Sequence, residues 1–236
     1  MSTDISIKIH NFIREYSEMN IDGIVISCPY WMNRLKEGKV VLRGFANGKG
    51  EASEIREEII RRLQKLPPEL RFPLTPSNLQ KFARRERIGI DCSGFAYRIL
   101  NQLVYLKYKN IHINTLEEIF SGGINKTNVR TLTGLDYCVK VDEILDFQLG
   151  DMVRLWGGKH VAVILDATGS KVVYVHSSHL STQTQGVHLA EIKIVDSSKS
   201  LAQQEWLEKT RTGENFGMKY FHPDKGDGVY RLKIFN

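Results

Sequence analysis

Gly89-Ile90-Asp91-Cys92-Ser93-Gly94-Phe95 places a cysteine where an apolar, helix-patterned stretch begins. At that position free amide N–H groups and the positive end of the helix dipole favour a thiolate, the nucleophilic form of the side chain. The same amides can donate to an oxyanion that forms on an attacked carbonyl. Gly94 is expected to keep the approach to the sulfur uncrowded. Such a nucleophile needs a base, and the base needs a third group to orient it. The apolar run Val161 to Leu165 opens with a histidine, His160, after the turn Trp156-Gly157-Gly158-Lys159, and the run Val172 to Val175 ends in another, His176. Neighbouring antiparallel strands bring such residues together, so Cys92, His160 and His176 form a candidate nucleophile, base and orienter. His179 lies three residues on and competes for the third role; alternation favours His176, which terminates the strand, over His179 in a polar loop.

The elements that position these residues are legible in outline. Ile5, Ile9, Phe12, Ile13 and Tyr16 predict an amphipathic helix over 5–19. A second helix runs to about Lys65, with Ser53 and several glutamates at its start and Arg61, Arg62 and Lys65 near its end. Pro67, Pro68, Pro73 and Pro76 interrupt the helical pattern, a short helix capped by Ser77 covers 77–87, and the Cys92 helix runs to about Leu106. Beyond Gly150 the pattern is of strands at 152–155, 161–165, 172–176, 187–195 and 229–235, with one more helix around 201–209. Helices followed by closely spaced strands give an α+β class with an antiparallel sheet. No internal repeat or low-complexity tract is present.

The set Asp91-Cys92-Ser93-Gly94, then Gly150-Asp151, then His160-Val161-Ala162-Val163, then Val175-His176 resembles the NlpC/P60 family of papain-like cysteine peptidases, over roughly residues 88–180. The resemblance implies a papain-like fold with N-terminal helices packed on a partly barrel-like sheet, and one catalytic domain spanning 1–236. It implies hydrolysis of an amide bond, in murein-type cell-wall peptides, through a thioester on Cys92. By the same resemblance Asp91 and Ser93 anchor the substrate, through its free amino group, and a tyrosine near the thiol is supplied by Pro29-Tyr30-Trp31. In the family that segment lies shortly before the cysteine helix, whereas here about sixty residues intervene, so 32–87 is expected to be an inserted subdomain. An acyltransferase or a protein or lipid amidase on the same triad, and a binding module on a retired catalytic scaffold, are the alternatives.

Composition narrows the remaining classes. With 42% hydrophobic and 25% charged residues the chain reads as globular. The net charge of +6 is scattered, so a mixed solvated surface is expected and no nucleic-acid partner. No apolar stretch reaches the ~20 residues that cross a bilayer, and Met1-Ser2-Thr3-Asp4 opens no signal peptide; with three cysteines lacking CxxC spacing, a cytoplasmic setting is the expectation. The histidines at 160, 176, 179 and 188 show neither HxH nor HExxH spacing, so neither metal nor cofactor is expected. Gly44, Gly48 and Gly50 do not follow the strand–turn–helix pattern of a phosphate cradle.

Overall fold

A computed structural model describes residues 3–108, 115–179 and 181–236; Met1 and Ser2, on which part of the reading of the N-terminus rests, lie outside them. Helix α1 (Thr3–Ser17) is followed by the hairpin β1 (Met19–Ile21) and β2 (Ile24–Ile26), then by a second hairpin, β3 (Arg34–Lys36) and β4 (Lys39–Leu42). Helices α2 (Ala52–Gln64), α3 (Pro76–Arg85) and α4 (Cys92–Tyr108) come next, then the short α5 (Gly123–Lys126) and α6 (Val129–Leu132). The C-terminal half holds β5 (Cys138–Val141), β6 (Met152–Leu155), β7 (His160–Ala167), β8 (Lys171–Ser178), β9 (Gly186–Lys193), β10 (Glu205–Trp206), α7 (Phe216–Tyr220) and β11 (Gly228–Leu232). The class is α+β: helices and a curled, seven-stranded antiparallel half-barrel ordered β10-β9-β8-β7-β6-β11-β5. Among the described residues no helix is long and apolar enough to cross a membrane.

Apolar residues cover both faces of this sheet. Val161, Val163 and Leu165 of β7 join the larger core with Ile9, Ile13 and Tyr16 of α1 and Phe95, Ile99 and Leu103 of α4. Ala162 and Ile164 point the other way, into a second core built on Tyr174, Trp206, Phe216 and Phe221. Burial on both sides explains why the central strands read as continuous apolar runs.

Segment 32–87 does not build a core of its own. Ile55 and Ile59 of α2 and Leu79, Phe82 and Ala83 of α3 bury in the same core as α4. Only the hairpin β3–β4 stands out, with Leu35 and Val41 exposed. Helix α2 starts at Ala52 through a reciprocal cap between Glu51 and Glu54. The cap of α3 is Thr75, whose side chain accepts from Asn78 N–H, with Pro76 at the first helical position; Ser77 lies inside the helix. The glycine-rich stretch serves packing: a side chain at Gly44 would collide with the Trp31 ring, and one at Gly48 with the Trp31 carbonyl.

The helix expected over 201–209 is absent. Leu201–Gln203 is a single 3-10 turn, and Glu205–Trp206 is an edge strand beside β9. The Gln204 side chain accepts from Val195 N–H and donates to the carbonyls of Asp196 and Lys199, holding the chain in a non-helical path. The final strand likewise ends at Leu232, and 233–235 form a 3-10 turn.

Asp151, of the Gly-Asp pair, is structural. Its carboxylate is fully buried and accepts from Arg231 Nε at 2.7 Å, Arg231 Nη2 at 2.9 Å and Gln148 N–H at 2.9 Å, tying β6 to β11. Removing one partner of such a pair leaves an uncompensated buried charge. Asp151→Asn should therefore lose about 3 kcal/mol in urea denaturation, and Asp151→Asn with Arg231→Met should recover part of that loss.

Candidate active site

Three stretches of chain meet where α4 begins. Ile90 N–H donates to the Pro29 carbonyl at 2.9 Å, and Asp91 N–H donates to the Gly48 carbonyl at 2.8 Å. Ser177 Oγ of β8 donates to the Ile90 carbonyl at 2.8 Å. Asp91 is the N-cap of α4: its Oδ1 accepts from Gly94 N–H at 2.6 Å. The same oxygen accepts from Ser93 Oγ at 2.9 Å and Lys49 Nζ at 3.4 Å. Asp91 and Ser93, expected to hold a substrate amine, are thus already engaged by a cation of this chain. Gly94 also differs from expectation, because a side chain there would press on Gly48, Lys49 and Asp91; it admits the 48–49 segment and does not clear a path to the sulfur.

Cys92 lies at the first turn of α4 and is buried. Its thiol is pushed up to about 12, by burial first and then by the Asp91 charge, against the opposing N–H of Val161, the Lys49 ammonium and the N–H of Ser93. The helix terminus alone predicts a depressed value; here exclusion of water outweighs it. Among the described residues no hydrogen bond joins Sγ to the His160 ring; the sulfur faces the amide of Val161, the next residue along β7. The other thiols are also free and buried, and both form contacts to backbone carbonyls, Cys28 at 3.7 Å to Pro29 and Cys138 at 3.0 Å to Leu132.

His160 opens β7, and the register with β8, in which Val163 faces Val175, sets it diagonally from His176 on one face of the sheet. His160 Nε2 and His176 Nδ1 are 2.7 Å apart. His179 does not compete for this contact: its ring faces Arg84 at 2.9 Å and Gln185 at 3.1 Å. Beyond His176 lies a group that sequence reasoning missed. His188 sits directly across from His176 on β9, and Glu208 follows the edge strand β10. His176 Nε2 is 3.1 Å from Glu208 Oε1, and His188 Nε2 is 2.9 Å from the same oxygen. Tyr174 donates to Glu208 Oε2 at 2.5 Å, and His188 Nδ1 faces the Gly186 carbonyl at 3.0 Å.

This network decides where the protons sit. Glu208 is 7% exposed in its side chain. Burial opposes its ionisation, yet His176, by charge and hydrogen bond, and His188 hold the carboxyl well below the usual range. A carboxylate only accepts, so His176 carries its proton on Nε2. Its Nδ1 then accepts from His160 Nε2–H, which leaves the lone pair of His160 on Nδ1, the nitrogen without a hydrogen bond among the described residues. Burial lowers the His160 pKa to about 3, with the neighbouring His176 adding to it, and His176 is lowered too, again chiefly by burial. Both rings are neutral, as such a relay requires.

His176, His188 and Glu208 are also the one trio among the described residues whose ligand-type atoms converge, within 4.8 Å of one another. A metal on His176 Nε2 would displace the proton that points the relay and force His160 into the other tautomer. The relay and a bound metal therefore exclude one another. The trio escaped the spacing test because His176 and His188 lie on separate strands and Glu208 on the segment after β10, and because the stretch holding Glu208 reads as helix.

Two adjoining cavities flank Cys92 and His160. One, of about 670 Å³, is lined by Cys92, Asp91, Ser93 and Lys49. The other, of about 530 Å³, is lined by His160, Trp156 and Tyr220. Tyr30, Met32 and Lys159 line both. Tyr30 thus stands beside the thiol despite its distance in sequence, and its phenol is held well above its ordinary range by burial, Cys92 and Asp91, so it remains a donor.

Two outcomes follow from this geometry. Iodoacetamide alkylation of Cys92, read by peptide mass spectrometry, should climb about tenfold per pH unit between pH 6 and 9, as the thiolate fraction of a high-pKa thiol does; a plateau would mean a preformed ion pair. If Cys92 and His160 are a reacting pair, Glu208→Gln should slow turnover about 10²-fold or more, because the amide no longer dictates the His176 tautomer, and should move the pH profile while the far-UV spectrum is kept.

Comparison with known protein families, with curated proteins and with solved structures found no match to this chain.

Proposed function

We propose that this protein is a cysteine hydrolase of the NlpC/P60 type that cleaves an amide bond through a thioester on Cys92, acting on murein-type peptides. The observation that carries the reading is the oriented series Glu208–His176–His160, which ends with an accepting Nδ1 beside the strand whose next amide faces the Cys92 sulfur. The order of the motifs around Cys92, His160 and His176 supports it.

In this mechanism the scissile carbonyl enters between the two cavities. Cys92 Sγ forms a bond to the carbonyl carbon as His160 Nδ1 takes the thiol proton, and the carbonyl π pair moves to oxygen. Backbone N–H groups at the start of α4 and the Tyr30 hydroxyl donate to that oxyanion. The C–N bond then breaks, the proton on His160 passes to the departing amine, and the thioester remains. A water then gives a proton to His160 as its oxygen adds to the thioester carbon; the C–S bond breaks, the acid leaves, and His160 returns the proton to the Cys92 sulfur. Because thiol and imidazole both rest neutral, the proton moves during attack and is not separated beforehand.

The test is digestion of purified murein peptides followed by chromatography and mass spectrometry. The wild type should release a new amine and a new carboxylate from one bond, Cys92→Ala should be inactive, and His160→Ala should fall at least about 10²-fold. Equal product from Cys92→Ala would remove the mechanism. Product whose mass depends on an added amine would make the enzyme an acyltransferase.

A further inference from the structure

Glu208 is buried among more lone pairs than protons. Its Oε1 lies 3.1 Å from His176 Nε2 and 2.9 Å from His188 Nε2, and those two nitrogens are 3.0 Å apart. His188 Nδ1 faces the Gly186 carbonyl at 3.0 Å. A carbonyl only accepts, so Nδ1 carries the His188 proton and Nε2 presents a lone pair. One proton, on His176 Nε2, is then left to serve three electron-rich atoms. The same triangle has the dimensions of a metal site. Bonds of about 2.1 Å from a divalent ion to nitrogen and oxygen place neighbouring ligand atoms about 3.0 Å apart at right angles. Each of the three is also held from behind, as metal ligands are. The Gly186 carbonyl holds His188, the Tyr174 hydroxyl holds Glu208 through Oε2, and His160 holds His176 through Nδ1. A cavity of about 280 Å³ is lined by His188 and Glu208 and shares no residue with the two beside Cys92 and His160. Leu189 and Leu207 of its wall are exposed, so it offers an ion a route away from the thiol and room for water to complete the coordination. Two carboxylates, Glu191 and Glu208, line it against one lysine, Lys209.

We propose that His176, His188 and Glu208 form a binding site for a divalent transition ion of the Zn²⁺ class, and that the ion switches the hydrolase off; the second half rests on the hydrolase reading. An ion on His176 Nε2 leaves the proton of that ring on Nδ1, which donates to His160 Nε2. His160 then carries its own proton on Nδ1, the nitrogen that takes the thiol proton in the metal-free chain. Each ring keeps one proton, moved from Nε2 to Nδ1, and none is lost. The base is occupied while Cys92 is untouched.

Equilibrium dialysis of the full chain against Zn²⁺ is the first test. Wild type and Cys92→Ala should each hold one ion per chain. His188→Asn and Glu208→Gln should bind at least about 10²-fold more weakly, the upper end of what removing a group behind a ligand costs. Because either variant can disturb the fold, Co²⁺ is the second probe, on the unaltered chain: its complex should show visible ligand-field bands and no thiolate-to-cobalt charge-transfer band. Long-range proton–nitrogen correlation spectra should place the His160 proton on Nε2 in the metal-free chain and on Nδ1 with Zn²⁺ bound. On murein peptides, saturating Zn²⁺ should lower turnover at least about 10²-fold, the contribution of a general base, and EDTA should restore it. Absence of stoichiometric binding, or a thiolate band, overturns the site. Zn²⁺ bound with the His160 proton still on Nε2, or turnover that rises with Zn²⁺, overturns the switch. No cleavage by the metal-free chain removes the hydrolase reading, and the dialysis and the Co²⁺ spectrum then decide the site on their own.

Discussion

The buried carboxylate of Glu208 is the constraint from which the geometry of the site follows. Two neutral imidazoles in contact can share their proton in either direction, and only one direction leaves a lone pair free on His160. Glu208 breaks that symmetry because it has nothing to donate. Keeping a carboxylate charged at 7% side-chain exposure demands donors: Tyr174 and His176 supply them, and His188 packs beside the same oxygen. The sheet supplies them through register: Tyr174 and His176 alternate along β8, and His188 stands opposite His176 on β9. The edge strand β10 delivers Glu208 to the same face. Phe216 and Trp206 close the second core around these groups, so the polar series crosses an apolar layer that excludes water and sharpens each hydrogen bond.

A second junction holds Cys92 to this series. The chain before α4 is clamped by Pro29 on one side, Gly48 on the other and Ser177 from β8. Because Ser177 adjoins His176 in sequence, the strand that bears His176 also fixes the start of the helix that carries the thiol. The segment 32–87 reaches the same junction through Gly48 and Lys49, which is why its helices share the principal core and why a cation arrives beside Cys92.

Much of this was legible in the residues. The α+β class, the helix beginning at Cys92, and the strands bearing His160 and His176 followed from apolar periodicity and turn residues, with ends shifted by one to three residues. The parts that were not legible share a cause: each depends on side chains that meet only after folding. Glu208 carries no local signal: its stretch is expected as a helix, whereas the Gln204 side chain satisfies the backbone in a different path. Nothing in the sequence sets Lys49 apart from the chain's other basic residues. The position of Cys92 at a helix terminus suggested a thiolate, but burial is a three-dimensional quantity, and it reverses the shift.

That reversal decides how the site rests. Burial and the Asp91 charge keep the proton on the Cys92 sulfur, and burial keeps His160 neutral, so no ion pair is held in a layer poor in water, where separated charges cost most. On the hydrolase reading the proton would leave the sulfur only as the C–S bond forms, and the N–H groups at the start of α4 would meet the charge as it develops on the carbonyl oxygen. The raised thiol and the lowered histidine are thus consistent with one another: each follows from burying the two groups and leaving fixed protein donors where solvent would have been.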